Sequence, residues 1–582
     1  MNKNKNTDTN SNNNEPPENI VKEGQSLIDE KKFAEALSFI NNHLTDYPKS
    51  ITFNNFLGLL ALSDNNFDDA KVYFDKAFEY GSDIKVYNNN LSIIYSTIGS
   101  NFFDNEDYKS ALNNFLLAIK QGPLNPLINY INVHKCYRKL DDFEAAEMVL
   151  FDAVNIVPNS FIIYYHLFEM EMERGQYDKA LNYANKSYEL SSNFDDSFNK
   201  LPLLIKYSKL LRAFGLITES IKVYLKAYLI DPGSKLIATD ITFLYLDIND
   251  FKSAYKYIQL AHDIDPDNRL INSLKYFIEY KLNNIDTITE LSAIATNNPN
   301  YNLPYQYIAE IYFDKQEYMN SFLHYKKLGN SFYYHAIRTL LHLDDQDTLI
   351  NYYDESLGFN HRNASINSIA ATLLDIDINN SFLNEPLSFI YNSKSSVLFK
   401  DSLIDDVKEE IVNFFDDNDY VKDSNIDGLL NCSQTLGNFF LLGSNNIIDL
   451  KEIISKEIDK YFNSSQKPKC IFFNDWTDKY KVIGKFLKLD TESQISGVHH
   501  DEGWVTGIIN LSSGDPIDIS LSENILDNNI VNLPEKTISI DKGQMIFFPS
   551  SLCYKKKKSS HQDNNLIIFY VIPETVKSNF ND

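Results

Sequence analysis

The sequence predicts a multidomain protein in which an all-α array of helix pairs precedes an α+β domain with a double-sheet, jelly-roll core. One phrase recurs about every 34 residues through the first half of the chain. Small residues and prolines return at fixed places inside that phrase. After residue 465 the chain changes to short β-rich segments with polar or glycine-containing separators. These are the signals of a helical repeat and of a sandwich or barrel, respectively.

The composition of the chain argues against several classes of function. The chain has 582 residues, enough for two to four domains, and a net charge of −26, which argues against a nucleic-acid partner. It lacks a run of about 18 apolar residues, so no membrane span is expected. The polar, Asn-rich residues 1–16 predict a disordered tail rather than a signal peptide. Four cysteines far apart, without a CxxC pair, fit a reducing compartment, and we expect a cytoplasmic protein.

The repeated phrase consists of an aromatic residue or Ile, a small residue three positions later, and often a proline twelve positions after that. The separations of the small residues are 34, 41, 35, 34, 40 and 34, so the base period is 34 with two insertions. These anchors are Ala36, Ala70, Ala111, Ala146, Ala180, Ser220 and Ala254. The prolines are Pro48, Pro123, Pro158, Pro232 and Pro266.

Helix geometry explains the phrase. A small residue lets two helices of a hairpin approach closely, and the aromatic residue three positions earlier lies on the same helical face. Proline cannot continue a helix, so it marks the turn to the next pair. Gly58 and Ala61 are expected in a first helix of such a pair, and two weaker units are anchored near Ile288 and Ser321. Stacking of neighbouring hairpins then completes the core.

The phrase resembles the tetratricopeptide repeat family over residues 17–335. The resemblance implies a right-handed superhelix that binds a protein or peptide partner. The aromatic stripes are then interpreted as core. The scattered histidines of the repeats receive no functional role.

The rest of the chain is predicted to contain a helical connector, 336–375, and an α+β domain, 376–582. The segments 401–415 and 449–462 have helical patterns. The β-rich segments are "KCIFF" (469–473), "KVIGKFLKL", "VTGIINL", "IDISLS", "KTISI", "GQMIFF" and "NNLIIFYVI". Four consecutive lysines, 555–558, are interpreted as a solvated loop.

A possible metal site begins at "VHHDEGW", which contains His499-x-Asp501. Residues two apart on a strand point the same way, so this pair has the spacing of two iron ligands. A mononuclear iron site needs a third ligand from a later strand, and His561 is the only later histidine. Such a short pattern has low specificity, and the alternative interpretation is a polar loop before a strand.

Several segments together resemble the 2-oxoglutarate/Fe(II) oxygenase family related to prolyl hydroxylases. They occur in order across residues 384–573: "NEPLSFI", "SQTLGNFF", "DEGWVTGIINL", "GQMIFFPSSLCY" and "LIIFYVIP". The resemblance implies a jelly roll that binds Fe(II) through His-x-His and a distal His, and 2-oxoglutarate through an Arg.

This chain departs from the family at those positions. Counted back from Gly503, the His-x-His positions are Val498 and His500; counted forward from Gln494, they are Gly497 and His499. The distal His falls on Tyr554, and the Arg falls on Asn565.

Two functions from different classes follow. In the first, the protein is an interaction scaffold whose oxygenase-like domain has lost iron chemistry, a pseudoenzyme with no cofactor. In the alternative, it is an active dioxygenase using Fe(II), 2-oxoglutarate and a shifted triad: His499, Asp501, and either Tyr554 or His561.

Overall fold

The computed structural model describes residues 14–192, 197–343, 345–354, 363–376, 385–393, 402–415, 420–422, 429–463, 471–474, 476, 479–498, 500, 503–512, 516–521, 534–558 and 564–573. The chain divides into two units, Met1–Phe194 and Asp195–Asp582. The described helices include none that is long and apolar enough to cross a membrane. The predicted domain borders and superhelix handedness stay predictions.

The described part of the first unit consists of antiparallel helix pairs. Its helices are α1 Glu18–Asp29, α2 Phe33–Leu44, α3 Ile51–Ser63, α4 Phe67–Glu79, α5 Ile84–Asp104, α6 Tyr108–Lys120, α7 Leu127–Lys139, α8 Phe143–Ile156, α9 Phe161–Glu173 and α10 Tyr177–Ser191.

Each pair is closed by a small residue at the fourth position of its second helix. In α2, α4, α6, α8 and α10 this residue is the predicted alanine anchor, and each is fully buried. Gly58 on α3 shows how close the helices come, since a Cβ there would lie 2.4 Å from the Phe74 ring on α4. The predicted packing of small residues between paired helices is confirmed.

The turn between the two helices of a pair has the same construction in several pairs. A residue with positive φ follows the end of the first helix: Asn65, Glu106 and Asp141 all adopt this left-handed conformation. The next residue caps the second helix. Asn66, Asp107 and Asp142 accept a hydrogen bond through their side chains from a backbone N–H three residues on. Such caps satisfy amide groups that a helix start leaves unpaired.

The second unit begins with further helix pairs, and its later elements depart from that pattern. Its helices are α11 Ser197–Phe214, α12 Ile217–Ile230, α13 Lys235–Asp247, α14 Phe251–Ile264, α15 Arg269–Asn283, α16 Ile288–Asn297, α17 Leu303–Asp314, α18 Tyr318–Lys327, α19 Tyr333–Leu341, α20 Gln346–Tyr352, α21 Ala364–Leu373, α22 Leu403–Phe414, α23 Asn445–Asn463 and α24 Ile471–Asn474. The anchor position holds buried Ser220, Ala254 and Ser321 in α12, α14 and α18. The N-terminal part of the chain is therefore a tetratricopeptide-like array.

The C-terminal part contains two sheets, and the described strands pair only in antiparallel fashion. The strands are β1 Tyr391–Ser393, β2 Tyr420–Lys422, β3 Leu429–Leu430, β4 Ser433–Thr435, β5 Tyr480–Leu489, β6 Gln494–Val498, β7 Val505–Asn510, β8 Ile517–Ser520, β9 Glu535–Ile538, β10 Met545–Pro549, β11 Cys553–Lys556 and β12 Asn564–Pro573. Seven form one sheet in the order β1-β10-β7-β12-β5-β4-β2. Five form the other in the order β3-β6-β11-β8-β9.

The seven-stranded sheet is buried on both faces. On β12, Ile568 joins a core with the five-stranded sheet, whereas its neighbour Phe569 belongs to a second core that includes α22 and α23. We call the first of these the shared core, because helices at the end of the array also contribute to it. Its members include Leu487, Ile495, Ile508, Ile519 and Ile568 from the sheets, and Ile337, Leu340 and Ile369 from α19 and α21.

Two sequence interpretations are corrected. "KCIFF" was predicted to be β-rich, but its described residues lie in the single turn α24. Phe472 and Phe473 both contact Phe389, and a strand would point consecutive rings to opposite faces. The lysine run is not all solvated loop: Lys555 and Lys556 belong to β11, and Lys556 is buried.

A backbone contact joins the α11–α12 turn to the loop before the 3-10 helix Phe439–Leu442. A Cβ at Gly437 would lie 2.1 Å from the carbonyl carbon of Phe214 and 2.2 Å from the Gly215 nitrogen. Asn438 holds the loop on the sheet, since its Oδ1 accepts from the Gly484 N–H at 2.8 Å and its Nδ2 donates to the Val482 carbonyl at 3.2 Å. Gly437 lies in "SQTLGNFF", a segment singled out from the sequence only by its resemblance to the oxygenase family.

The first unit should lose stability in mild acid because of His134, which is fully buried. Burial lowers its pKa to about 4, from an ordinary value of about 6.5. The ring is therefore neutral in the fold, with Nδ1 3.0 Å from the Ala146 carbonyl oxygen. As pH falls below about 6.5, the unfolded chain gains a proton that the folded chain does not, so stability falls. From about pH 7.5 to about pH 5.3 this residue should remove about 1.5 kcal/mol.

Urea unfolding followed by circular dichroism at both pH values tests this prediction. His134→Gln should flatten the pH dependence of the first unit's unfolding midpoint. An unaltered slope in His134→Gln would contradict the prediction.

Candidate functional site

The candidate site lies where β6 and β11 run side by side. Val498, the last residue of β6, pairs directly with Tyr554 of β11. Both side chains are buried and belong to the shared core. The pairing register shifts between Tyr554 and Lys555, which marks a bulge. An aliphatic side chain, without a donor atom, therefore faces the tyrosine at this strand end.

His500 lies beside this pair, between two tyrosines. Its Nε2 is 3.4 Å from Tyr554 Oη, and its ring is stacked on Tyr570 with centroids 5.0 Å apart. Its backbone N–H donates to the Ser550 carbonyl at 3.3 Å. We call His500, Tyr554 and Tyr570 the aromatic trio. It provides one imidazole nitrogen and two phenol oxygens at the end of the double sheet.

Gly503 has no room for a side chain. A Cβ there would lie 2.5 Å from Ser550 Oγ and 2.8 Å from Tyr570 Cβ. The Gly503 N–H donates to the His500 carbonyl at 3.0 Å, and Ser550 Oγ is 2.8 Å from Thr506 Oγ1. The absence of a side chain at Gly503 therefore lets the backbone approach Tyr570, whose ring is stacked on that of His500.

Trp504 is held in place by two hydrogen bonds. Its indole Nε1 donates to the Phe472 carbonyl at 3.1 Å, and its backbone N–H donates to the Val571 carbonyl at 2.8 Å. The side chain is buried. Trp504 thus acts as a structural anchor beneath the site.

Asn565 takes the place where the resemblance implies an arginine. It is buried on β12, its backbone N–H donates to Ser512 Oγ at 2.9 Å, and its carbonyl accepts from the Leu511 N–H. Lys488 is its cross-strand partner on β5 and is exposed. Asn565 itself supplies no positive charge to a carboxylate.

Three of the predicted ligands, His499, Asp501 and His561, lie outside the described residues. Tyr554 is the one predicted ligand that the structure describes, and it adjoins His500. Val498 and His500, the positions counted back from Gly503, both lie beside Tyr554. Sequence reasoning missed the role of Tyr570, because only the fold brings β12 next to this turn.

At Val498 and Asn565, the described residues lack the groups that the resemblance implies for iron and 2-oxoglutarate. Val498 has no ligating atom, and Asn565 cannot form the charged bidentate contact that an arginine offers. No cluster of three His, Cys, Asp or Glu side chains suited to a metal occurs among the residues that the structure describes. The trio instead resembles a packed, hydrogen-bonding aromatic cluster.

No family model matches the chain, and no curated protein matches it. Among solved structures, yeast Tom70 is 13% identical, with 61% of this chain and 88% of that chain covered and a TM-score of 0.31. The APC/C hetero-tetramer Cut9-Hcn1 is 13% identical, with 45% of this chain but only 49% of that chain covered and a TM-score of 0.30. A tetratricopeptide repeat protein from Parabacteroides merdae is 14% identical, with 44% and 96% covered and a TM-score of 0.27.

Proposed function

We propose that this protein is a tetratricopeptide-type protein-interaction scaffold whose jelly-roll, oxygenase-like domain has lost iron chemistry. The observation that carries the proposal is the pairing of Val498 with Tyr554 inside the shared core. At the strand end where the resemblance implies ligands, an aliphatic side chain and a buried phenol pack together. The cofactors Fe(II) and 2-oxoglutarate are then not used.

The helix pairs support the scaffold role. Repeat arrays of this kind present extended surfaces, and such surfaces commonly take peptide segments. The net charge of −26 makes a nucleic-acid partner unfavourable. Free cysteines at buried positions 136, 432 and 553 suit the cytoplasm, where we place the protein.

The sheets support the jelly-roll assignment. Two antiparallel sheets share one core, and four of the five strands in the smaller sheet derive from residues after 493. Double-sheet architectures of this type include jelly rolls. The proposal keeps the predicted domains, with repeats at 17–335, a connector at 336–375 and the oxygenase-like domain at 376–582.

A peptide footprint tests the scaffold role. Peptides selected from a displayed library on the full chain should protect amide hydrogens from exchange within residues 14–343. Helices that contact a bound segment open less often, so their exchange slows. Protection confined to residues 385–573, or a failure to select any peptide, would contradict the scaffold role.

Metal titration tests the loss of iron chemistry. The alternative, an active dioxygenase, is favoured by one observation: His500 Nε2 and Tyr554 Oη lie 3.4 Å apart, and both atoms can ligate a metal. We expect no micromolar binding of Fe(II) or Mn(II) by calorimetry and no succinate release from 2-oxoglutarate. Metal binding and succinate release that both vanish in His499→Ala or in His500→Ala would establish an active dioxygenase.

A further inference from the structure

One turn of the helix array differs from the others. In several pairs the turn residue with positive φ is polar and exposed, as at Asn65, Glu106 and Asp141. The turn between α11 and α12 has Gly215 in that place, with a φ of +84°, and this glycine is buried. We call residues 213–216 the docked turn. Because the same position is exposed in other repeats, its burial here indicates that another part of the chain covers it.

The residue after Gly215 differs in the same way. In other pairs this position caps the second helix through a side-chain oxygen that accepts from a backbone N–H, at Asn66, Asp107, Asp142 and Asp250. In α12 it is Leu216, whose side chain cannot accept a hydrogen bond. Giving up a cap is unfavourable for the helix. Leu216 instead packs against the second core, which contains residues of the sheets. The docked turn is therefore suited to contact a protein surface rather than water.

The surface that covers the docked turn is the loop at Gly437. A Cβ at Gly215 would lie 2.3 Å from the Gly437 nitrogen, so the two backbones meet without room for a side chain. The Asn438 N–H donates to the Ala213 carbonyl at 3.5 Å. Asn438 in turn holds this loop on β5. The contact thus joins the start of the repeats in the second unit to the seven-stranded sheet.

The repeats of the second unit have another attachment to the sheets at their far end. There, helices α19 and α21 join strands of both sheets in the shared core. Between the two attachments lie α13–α16. Their described cores contain residues of the helix array alone. These helices are therefore held at both ends and have no sheet residue in their cores.

The two attachments differ in strength. The shared core buries many apolar side chains from helices and strands. The docked turn offers Phe214 and Leu216, and its hydrogen bond to Asn438 is long at 3.5 Å. Local opening requires less free energy where less apolar surface is buried. The docked turn is therefore the attachment that opens first.

We propose that the docked turn is a releasable latch that holds the repeats of the second unit on the sheet domain. When the latch is closed, α13–α16 are held at both ends, so their curvature is fixed. When the latch is open, the shared core stays intact and these helices move about it. A partner that binds one arrangement better shifts the latch toward it. This conformational role goes beyond the scaffold function and does not depend on it.

A double substitution releases the latch while keeping the helix pair. Gly215→Asn with Leu216→Asp copies the α13–α14 turn, where Asn249 has positive φ and Asp250 caps the helix. The new side chain at position 215 overlaps the facing loop, whereas the carboxylate at position 216 restores a cap to α12. The variant should therefore fold its helices but lose the contact.

Hydrogen–deuterium exchange of the full chain measures the opening. Amides of residues 434–442 should exchange about tenfold faster or more in this variant, whereas α12 and α13 keep their protection. Spin labels in place of the exposed Asp263 and Lys536 should give a broader distance distribution. The matched control is Gly175→Asn with Gln176→Asp in the exposed α9–α10 turn, where a Cβ meets nothing within 4 Å. It should leave both measurements unchanged.

A second variant, Gly437→Ala, opens the contact from the other side and leaves the docked turn unaltered. Unchanged exchange of residues 434–442 in both variants would overturn the latch. Loss of protection in β7 and β12 together with residues 434–442 would also overturn it, because the contact would then belong to one cooperative core. The scaffold role is tested separately, since its peptide footprint is measured on the unaltered chain.

Discussion

Gly437→Ala is expected to destabilise the second unit by about 3 kcal/mol, at the upper end of overpacking effects. The added Cβ would lie 2.1 Å from the Phe214 carbonyl carbon and 2.2 Å from the Gly215 nitrogen. These are backbone atoms, so they cannot move aside by a change of rotamer. Gly215 has a φ of +84°, a left-handed conformation that glycine adopts easily, so the backbone of this turn is already constrained.

Urea unfolding of the full chain measures this effect as a lower midpoint for the second unit. Gly233→Ala is the matched control, because a Cβ there meets only the Asp231 side chain at 3.6 Å, an ordinary contact. Limited proteolysis should also cut the α11–α12 turn faster in Gly437→Ala. Equal midpoints for the two variants would show that the close contact is not maintained.

Gly507→Ala is expected to cost about 2–3 kcal/mol through a clash within the seven-stranded sheet. Gly507 lies on β7, and its cross-strand partner on β12 is Phe569. The Phe569 ring crosses over the glycine, so a Cβ would lie 2.1 Å from Cζ. The ring has little room to move, because it packs edge-on against Phe547 with centroids 5.7 Å apart.

A double-mutant cycle isolates that clash. Phe569→Leu alone should be destabilising, because it removes buried ring atoms. Combined with Gly507→Ala, it should relieve the overlap, so the double variant should be at least about 1 kcal/mol more stable than additivity predicts. Strict additivity of the two changes would contradict the expected clash.

The helix pairs could be predicted because their signal is local and repeated. The anchor and the aromatic residue before it lie three positions apart on one helix, and the same contact recurs in many copies. One second helix, in a unit predicted to be weaker, is an exception: α16 carries Leu291 where other second helices carry Ala or Ser. The predicted anchor of that weaker unit, near Ile288, lies three positions before Leu291.

The sheets were predicted less completely. Long strands such as β5, β7 and β12 are visible as apolar runs. The short strands β1, β2, β3 and β4 have two or three residues each, too few to show alternation. At the candidate site, the contact of His500 with Tyr570 joins residues far apart in sequence, so no local pattern indicates it.

The shared core has a consequence for synthesis of the chain on the ribosome. Its helical members emerge first, and the last strand, β12, lies between β5 and β7, so the seven-stranded sheet cannot close without it. The end of β12 at Pro573 follows the end of α21 at Leu373 by 200 residues. At usual elongation rates, on the order of 10–40 s pass before β12 can cover the apolar side chains of Ile337, Leu340 and Ile369. During that interval we expect the nascent chain to need holding chaperones. We also expect a chain that ends before β12 to aggregate, because the apolar members of the shared core then lack their partners.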